Sequence, residues 1–171
     1  MYPELNELLQ YYSETFCNRT CMLKTGYMPL SELQIVFNES DFHHLVGLHK
    51  VTRDRASVNI GKIKKQRLTL SMIVKHERFK EIRYRILEFK SLEKMFIDPQ
   101  CDICVLAKDL RTNSMNIDLI LFDEVESDFI MVLGLRRAKD SLVFYPTTLY
   151  KAPKNKFKDV RKTKVEMMTW I

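Results

Sequence analysis

The chain has 171 residues, of which 46% are hydrophobic, and a formal net charge of +6. This length fits one domain with a full core, and the composition excludes a disordered protein. The apolar run at residues 129–135 is far too short to span a membrane. Residues 1–4 lack the basic and apolar stretches of a signal peptide. We therefore expect one cytoplasmic domain over residues 1–171, without membrane contact.

Basic residues are concentrated in two segments. Residues 50–67 contain seven basic residues and one acid, and residues 136–164 contain ten basic residues and two acids. The stretch between them, residues 98–128, has eight acids against two basic residues. If the two basic segments converge in space, they form a face that attracts anions. A mildly basic solvated surface explains the same charges equally well.

The four cysteines, Cys17, Cys21, Cys101 and Cys104, have spacings that are found in zinc sites. However, Cys101 and Cys104 lie at the head of a strand-like run, and no glycine supplies the tight turn that would bring both to one metal. Ordinary part-buried thiols are therefore favoured. We predict no metal and no cofactor, although the sequence leaves a cysteine-bound metal open.

The first part of the chain predicts a helix and a hairpin. Apolar residues recur at helical spacing within residues 1–15, after Pro3. Residues 20–24 and 33–37 are typical of short strands that pair around Gly26 and Pro29.

The middle of the chain predicts further helices. Ser40 or Asp41 begins a short helix that Gly47 weakens or ends. Residues 51–66 are polar and basic and predict a loop. A helix then opens at residue 69 or 71 and runs through residue 76, followed by a longer helix over residues 78–96. The apolar stripe of that longer helix comprises Phe79, Ile82, Ile86, Phe89, Leu92 and Phe96.

Four strand-like runs follow, at residues 103–107, 117–122, 129–135 and 142–145. Their short connections favour antiparallel pairing. We therefore predict an α+β fold in which N-terminal helices and a small hairpin precede a four-stranded antiparallel sheet. The acidic cluster at 118–128 is interpreted as a loop between two strands rather than a metal site. The basic tail, residues 151–171, docks as a last short element or frays.

Three of the four histidines, His43, His44 and His49, fall within seven residues and precede Lys50. Histidine exchanges protons near neutral pH, and lysine neutralises phosphate. The alternative is a helix end whose histidines only cap, pack or face water. In a regular helix over residues 41–49, His44 would point away from His49, and only a break at Gly47 would bring them together.

Two further features could serve the same chemistry. Arg85 falls inside the apolar stripe, where a charge needs a partner or must line a cleft. Its guanidinium suits a phosphate, but an ion pair with Glu81 or Glu88 explains it equally well. Residues 144–150 place a proline inside a strand-like run, which indicates an edge or a bulge that redirects side chains. Their hydroxyls and tyrosines could bind phosphate or a base, and an ordinary β-edge is the simpler alternative.

These three features, in this order, resemble the phage-Barnase-EndoU-Colicin-RelE-like nuclease group, and most of all its fourth branch. The family's Phe-x-His-Leu-x-Gly-Leu-His-Lys stretch is matched by residues 42–50, and its helical arginine by Arg85. Its Tyr-Pro-x-Ser/Thr-aromatic element is matched from Tyr145 to Thr148, with Leu149 at the usual aromatic position. The resemblance covers about residues 33–150.

The resemblance implies a barnase/EndoU/RelE-like fold and metal-independent cleavage of RNA, in which the ribose 2′-hydroxyl attacks the adjacent phosphate. Carried over by position, it makes His44 the acid/base, with His49 as its rival, and Lys50 and Arg85 the phosphate-stabilising cations. Thr148 would orient a phosphate oxygen. The nucleic-acid-binding residues that we expect around them are Arg53, Arg55, Lys64, Lys65, Arg136, Arg137 and Tyr145.

The expected function is a ribonuclease that acts as a toxin or as a phage or mobile-element effector on tRNA or other structured RNA. An antitoxin would be a further partner. The alternative is a non-catalytic module on the same fold, which binds nucleic acid or an acidic protein through its basic face. A third, less favoured interpretation is an inhibitor of a host complex. The binding alternative requires only the lysines and arginines and predicts a steep dependence on salt.

Overall fold

The computed structural model describes residues 2–97, 102–104, 117–126 and 128–171. Helix α1, Leu5–Thr15, begins after Pro3 and buries Leu5, Leu8, Leu9 and Tyr12. This confirms the prediction of an amphipathic helix at the N-terminus. The buried face is the one that the 3.6-residue spacing defines.

The predicted hairpin is also confirmed. Strands β1, Thr20–Thr25, and β2, Glu32–Val36, pair antiparallel, with Leu23 opposite Leu33. A short 3-10 helix, Met28–Leu30, connects them, and Pro29 lies in its first turn. The hydroxyl of Thr25 donates to the carbonyl oxygen of Leu30 at 2.9 Å and closes the turn.

The helices between residues 41 and 97 are shorter and more numerous than predicted. They are α2, Asp41–Leu45; α3, Ala56–Lys64; α4, Leu70–Ile73; α5, Arg83–Leu87; and α6, Ser91–Ile97. Short 3-10 helices lie at Leu48–Lys50 and Glu77–Glu81.

Three predictions in this region are wrong. The expected loop at residues 51–66 contains α3, which buries Asn59, Ile60 and Ile63 along one side. The expected helix over residues 78–96 is broken between the 3-10 helix, α5 and α6, although every residue of its predicted apolar stripe is buried. The helix expected to reach residue 76 ends at Ile73, and the ring of His76 accepts from the backbone amide of Arg78 instead.

The sheet is larger than the four-stranded meander that we predicted. The predicted strands correspond to β3, Asp102–Cys104; β4, Leu119–Glu126; β5, Phe129–Arg137; and β6, Val143–Pro153. Residues 105–107 of the first predicted run lie outside the described residues. The acidic stretch is not a loop, because residues 119–126 belong to β4 and most of them pair with β5.

The remaining strands close the sheet on itself. The tail forms β7, Lys162–Trp170, which pairs antiparallel with both β1 and β3. Strand β2 pairs with the start of β6 in parallel, with Ile35 opposite Phe144. The order is therefore β1-β2-β6-β5-β4-β3-β7, with β7 returning to β1. The tail docks because Trp170 packs near Phe16 and Phe37 and donates from its indole nitrogen to the carbonyl oxygen of Phe96.

The main core lies between the helices and one face of the curled sheet. Its members on β4, β5 and β6 include Leu121, Leu133 and Leu149. A smaller cluster covers the other face, comprising Ile117, Ile120, Ile130, Val132, Ala152 and Phe157. Strands β4 and β5 thus have apolar contacts on both faces. Strand β6 pairs with β5 and contacts α2 and α5. Among the helices of the described ranges, none has the length and apolar character needed to cross a membrane.

Candidate functional site

The three neighbouring histidines form a cluster, defined here as His43, His44 and His49. Helix α2 ends at Leu45, and Gly47 adopts a left-handed conformation with φ of 81°. The chain then turns into the 3-10 helix that carries His49. This turn brings the rings of His44 and His49 to a centroid separation of 5.5 Å. A regular helix would point His44 away from His49, and the turn at Gly47 instead brings the two rings together.

The turn that carries the cluster is anchored by buried apolar side chains. Phe42, Leu45, Val46 and Leu48 have no exposed surface. The ring of His43 lies 4.8 Å from that of His44 and 6.0 Å from that of His49, measured between centroids. His43 is buried, whereas His44 and His49 are exposed. The anchored turn therefore presents two imidazoles to solvent above a third.

His43 is a site residue that the sequence-based assignment of roles omitted. Its Nδ1 lies 3.1 Å from Nδ2 of Asn59, a fully buried residue of α3. The same amide nitrogen donates to the hydroxyl of Thr52 at 2.6 Å. Asn59 was missed because its segment was assigned to a loop. The close spacing of the three histidines, which fall within seven residues, was the sequence feature that could have added His43 to the candidate site.

Arg85 connects the histidine cluster to the sheet. It lies on α5 and is only 7% exposed. Its Nη1 donates to the carbonyl oxygen of His44 at 3.3 Å and to the hydroxyl of Thr148 at 3.2 Å. Within the described residues, Arg85 forms no salt bridge with Glu81 or Glu88. The buried guanidinium is held by two neutral oxygens, which do not neutralise its charge.

Thr148 is positioned by a bulge in β6. Gly134 of β5 pairs with Thr148 and the next residue, Leu135, pairs with Pro146, so Thr147 is the extra residue. The hydroxyl of Thr147 donates to the carbonyl oxygen of Gly134 at 3.1 Å. The proline predicted an edge or a bulge, and the structure has a bulge at the residue that follows the proline. Thr148 is buried beside Gly134, where a Cβ atom would lie 2.8 Å from the Thr148 methyl carbon.

Lys50 is engaged in an ion pair. Its Nζ lies 3.2 Å from Oε2 of Glu81, and the same carboxylate accepts from the guanidinium of Arg78. Arg78 first, and then Lys50, lower the pKa of Glu81 to about 2. A phosphate that contacts Lys50 would have to compete with this carboxylate.

The cluster lies in positive surroundings. Burial, and then the charge of His44, lower the pKa of His43 to about 4. Although part of its ring reaches solvent, partial desolvation of His49 by its neighbours, followed by the charges of His44 and Arg85, lowers its pKa to about 4. Partial desolvation, and then the charge of Arg136, likewise lower the pKa of His44. Burial also lowers the pKa of Arg85 from its usual very high value, so its guanidinium remains charged. Neutral imidazoles beside fixed cations make a site that favours an anion.

The predicted nucleic-acid-binding residues are distributed unevenly around this site. Arg136 lies at the end of β5, close enough for its charge to act on His44. The guanidinium of Arg137 instead donates to the carbonyl oxygen of Ser141, and Lys64 pairs with Glu39 at 2.8 Å. The other four are exposed or half-buried residues with no described contact to the cluster, namely Arg53, Arg55, Lys65 and Tyr145.

Cys17 and Cys21 are separate from this site. Cys17 and Cys21 are buried in the main core, and burial raises the pKa of the Cys17 thiol to about 11. Cys101 lies outside the described residues. Cys104 belongs to β3, which pairs with β4 and β7.

The α+β fold brings imidazoles, a buried arginine and a threonine hydroxyl together beside a curled sheet. The chain belongs to the family described as phage-Barnase-EndoU-ColicinE5/D-RelE like nuclease 4, whose model matches residues 4–171. Membership of a nuclease family implies a nucleic-acid substrate. No curated protein and no solved structure matches this chain.

Proposed function

We propose that the protein is a metal-independent endoribonuclease whose site comprises the histidine cluster, Lys50, Arg85 and Thr148. The observation that carries the proposal is the contact pattern of Arg85. A guanidinium that is 7% exposed, and that donates to neutral oxygens of His44 and Thr148, leaves a positive charge for an incoming phosphate to neutralise. The family's nuclease description supports the same substrate class.

The chemistry begins with the ribose 2′-hydroxyl, which attacks the adjacent phosphorus atom. A base removes the hydroxyl proton and an acid protonates the departing 5′-oxygen, so that the products are a 2′,3′-cyclic phosphate and a 5′-hydroxyl. His44 is our acid/base residue, with His49 as its rival. Their ring centroids are 5.5 Å apart, which allows one phosphodiester to contact both. A bound phosphate adds the negative charge that favours a protonated imidazole.

The remaining residues stabilise charge in the transition state. Arg85 lies beside His44 and would bind a non-bridging phosphate oxygen, where negative charge develops. Because Thr148 accepts from Arg85, its own hydroxyl proton is available for a second phosphate oxygen. Lys50 would also stabilise the charge, once a phosphate replaces Glu81 as its partner. Arg136, whose charge acts on His44, would hold the RNA backbone nearby.

We further propose that the substrate is tRNA or another structured RNA and that the protein acts as a toxin or mobile-element effector. This proposal is supported by the family's description as phage nucleases together with the net charge of +6 of the chain. Cleavage by the purified protein tests nuclease activity but not toxicity, so the role as a toxin is tested by expression in cells. Growth should stop with wild type and continue with His44→Ala.

The purified protein is tested with a mixed pool of tRNA and structured RNA in EDTA. We expect wild type to cut, and His44→Ala or Arg85→Met to lose at least about a hundredfold in rate, as removal of one acid/base or one charge-stabilising donor does. Methionine retains the aliphatic bulk of the arginine, and a thermal melt of each variant verifies folding.

Matched controls are His76→Ala and Arg19→Ala, which change an exposed histidine and an exposed arginine outside the site. Both should cut at the wild-type rate. If folded wild type cuts no RNA at any salt concentration, the enzyme proposal is wrong. Salt-sensitive RNA binding without cleavage would then support the non-catalytic alternative.

A further inference from the structure

The histidine cluster also has the composition of a metal site. Each of its three residues offers one imidazole nitrogen, and the three nitrogens all lie within 4.8 Å of one another. A tetrahedral ion with nitrogen ligands at about 2.0–2.1 Å requires nitrogens that are roughly 3.4 Å apart. Because His44 and His49 are exposed, small rotations of their rings can close this difference.

A second, independent observation concerns Asn59, which lies behind His43. Its Nδ2 lies within hydrogen-bonding distance of three groups: His43 Nδ1 at 3.1 Å, Thr52 Oγ1 at 2.6 Å and the Asp54 carbonyl oxygen at 3.4 Å. Its Oδ1 is buried and has no partner within the described part of the chain. An amide nitrogen has only two hydrogens, so at most two of these three acceptors receive a hydrogen bond, and Oδ1 remains unpaired.

Rotating the Asn59 amide by half a turn exchanges its nitrogen and oxygen, which gives His43 and Thr52 an acceptor and moves the unpaired position from Oδ1 to Nδ2. Oδ1 then accepts from Nδ1–H of His43 and from the hydroxyl of Thr52. In this tautomer the lone pair of His43 is on Nε2, the ring nitrogen that is not bonded to Asn59. A histidine whose second nitrogen donates to a fixed carbonyl oxygen is the usual arrangement of a metal ligand and its supporting residue.

The donor set selects the class of metal. Three neutral imidazoles suit borderline ions such as Zn²⁺, whereas Mg²⁺ and Ca²⁺ require oxygen ligands. Arg85 and Lys50 weaken the binding of a cation, and they favour water-derived hydroxide or another anion at the fourth, solvent-facing position.

We propose that His43, His44 and His49 bind one Zn²⁺ ion, with Asn59 holding the ring of His43 in position. The ion would occupy the nitrogens of His44 and His49. A consequence, which rests on the proposed ribonuclease function, is that Zn²⁺ inhibits cleavage reversibly.

Binding is measured by equilibrium dialysis of metal-free protein against ZnCl₂ at pH 7.5, in the absence of RNA. The full-length chain carries Cys101→Ser and Cys104→Ser, so that these thiols do not contribute. We expect one ion per chain, and at least a tenfold loss of affinity in His44→Ala and in His49→Ala. These two residues are exposed, so both variants should fold. His76→Ala is the matched control and should bind as the parent does.

The role of Asn59 is tested by Asn59→Leu, which should weaken Zn²⁺ binding about tenfold to a hundredfold, as loss of a supporting residue does. Asn59→Asp retains an acceptor oxygen for His43 and should bind within a few-fold of the parent. No bound ion, or an affinity that is unchanged in both His44→Ala and His49→Ala, would overturn the proposal.

Failure of this inference and failure of the proposed function give different results. Cleavage in EDTA without Zn²⁺ binding retains the ribonuclease and overturns the zinc site. Zn²⁺ binding without cleavage retains the site and overturns the ribonuclease. If both hold, Zn²⁺ at ten times its dissociation constant should slow cleavage about tenfold by mass action, and EDTA should restore the rate.

Discussion

Replacement of Gly47 by alanine tests the local geometry that forms the site. Gly47 has φ of 81°, and a left-handed conformation costs a residue with a Cβ atom about 1–2 kcal/mol. The added Cβ would lie 2.7 Å from Cγ2 of Ile82 and 3.2 Å from Cδ of Arg85. Ile82 is fully buried, so it must shift within a packed core at a cost of about 1–3 kcal/mol.

Together these two effects should lower the free energy of unfolding of Gly47→Ala by about 2–5 kcal/mol. For a chain of this size, that corresponds to a fall in Tm of roughly 4–20 °C, since 1 kcal/mol shifts Tm by about 2–4 °C. The assay is urea unfolding at 25 °C together with a thermal melt. Cleavage should also fall, since the shifted neighbours include Arg85.

Gly61→Ala is the matched control for this experiment. Gly61 lies inside α3, and a Cβ atom there would meet nothing within 4 Å. Alanine should stabilise the helix by about 0.5–1 kcal/mol. If Gly47→Ala is as stable as Gly61→Ala, the reasoning on backbone conformation and packing at Gly47 is refuted.

Three other predictions concern the core, the ion pairs and the bulge. Burial raises the pKa of the Cys17 thiol to about 11, so at pH 8 this thiol should react with iodoacetamide about a hundredfold more slowly in native than in unfolded protein. Peptide mass spectrometry measures both rates, and equal rates would contradict the effect of burial. Because the pKa of Glu81 is lowered to about 2 in the folded chain, its ion pairs stabilise the fold above the unfolded pKa of about 4.5, and this contribution is lost as pH falls towards 2. The urea midpoint of Glu81→Gln should therefore drop less between pH 4.5 and pH 2 than that of wild type. An equal drop would contradict the ion pairing of Glu81. Gly134→Ala should destabilise the chain by about 1–3 kcal/mol in urea unfolding because its Cβ atom would press on Thr148, and an unchanged midpoint would count against the tight packing at the bulge.

Local periodicity predicted the elements whose burial follows one face. The apolar spacing in residues 5–12 predicted α1, and two strand-like runs around Gly26 and Pro29 predicted β1 and β2. The stripe over residues 79–96 identified the buried residues correctly but not the continuity of the helix. Spacings of three and four residues are satisfied by short α and 3-10 segments as well as by one long helix, so burial alone does not fix the backbone.

Tertiary contacts decided what the sequence could not. The pairing of β2 with β6 joins residues more than a hundred positions apart, and no local pattern predicts it. The tail docks through Trp170, whose partners come from three distant segments. Helix α3 was missed because the segment around it, residues 51–66, is rich in basic residues and only three residues of the helix are buried. Its stability derives from packing rather than from an apolar face visible in the sequence.

The candidate site was predicted in part. Proximity of His44 and His49 required the break at Gly47, which the sequence offered only as an alternative. Burial of Arg85 followed from its position in the stripe, whereas its contacts with His44 and Thr148 required the fold. The Asn59 network lay in a segment assigned to a loop and could not be anticipated.

The central claim, metal-independent cleavage through the ribose 2′-hydroxyl, is tested most directly with one defined structured RNA and its fully 2′-O-methylated counterpart. Both are incubated with wild-type protein in EDTA, and the product ends are identified by mass spectrometry. The account predicts that only the unmodified RNA is cut and that it carries 2′,3′-cyclic phosphate and 5′-hydroxyl ends. Cleavage of the methylated RNA, products with 5′-phosphate ends, or no cleavage of either RNA by folded protein would contradict it.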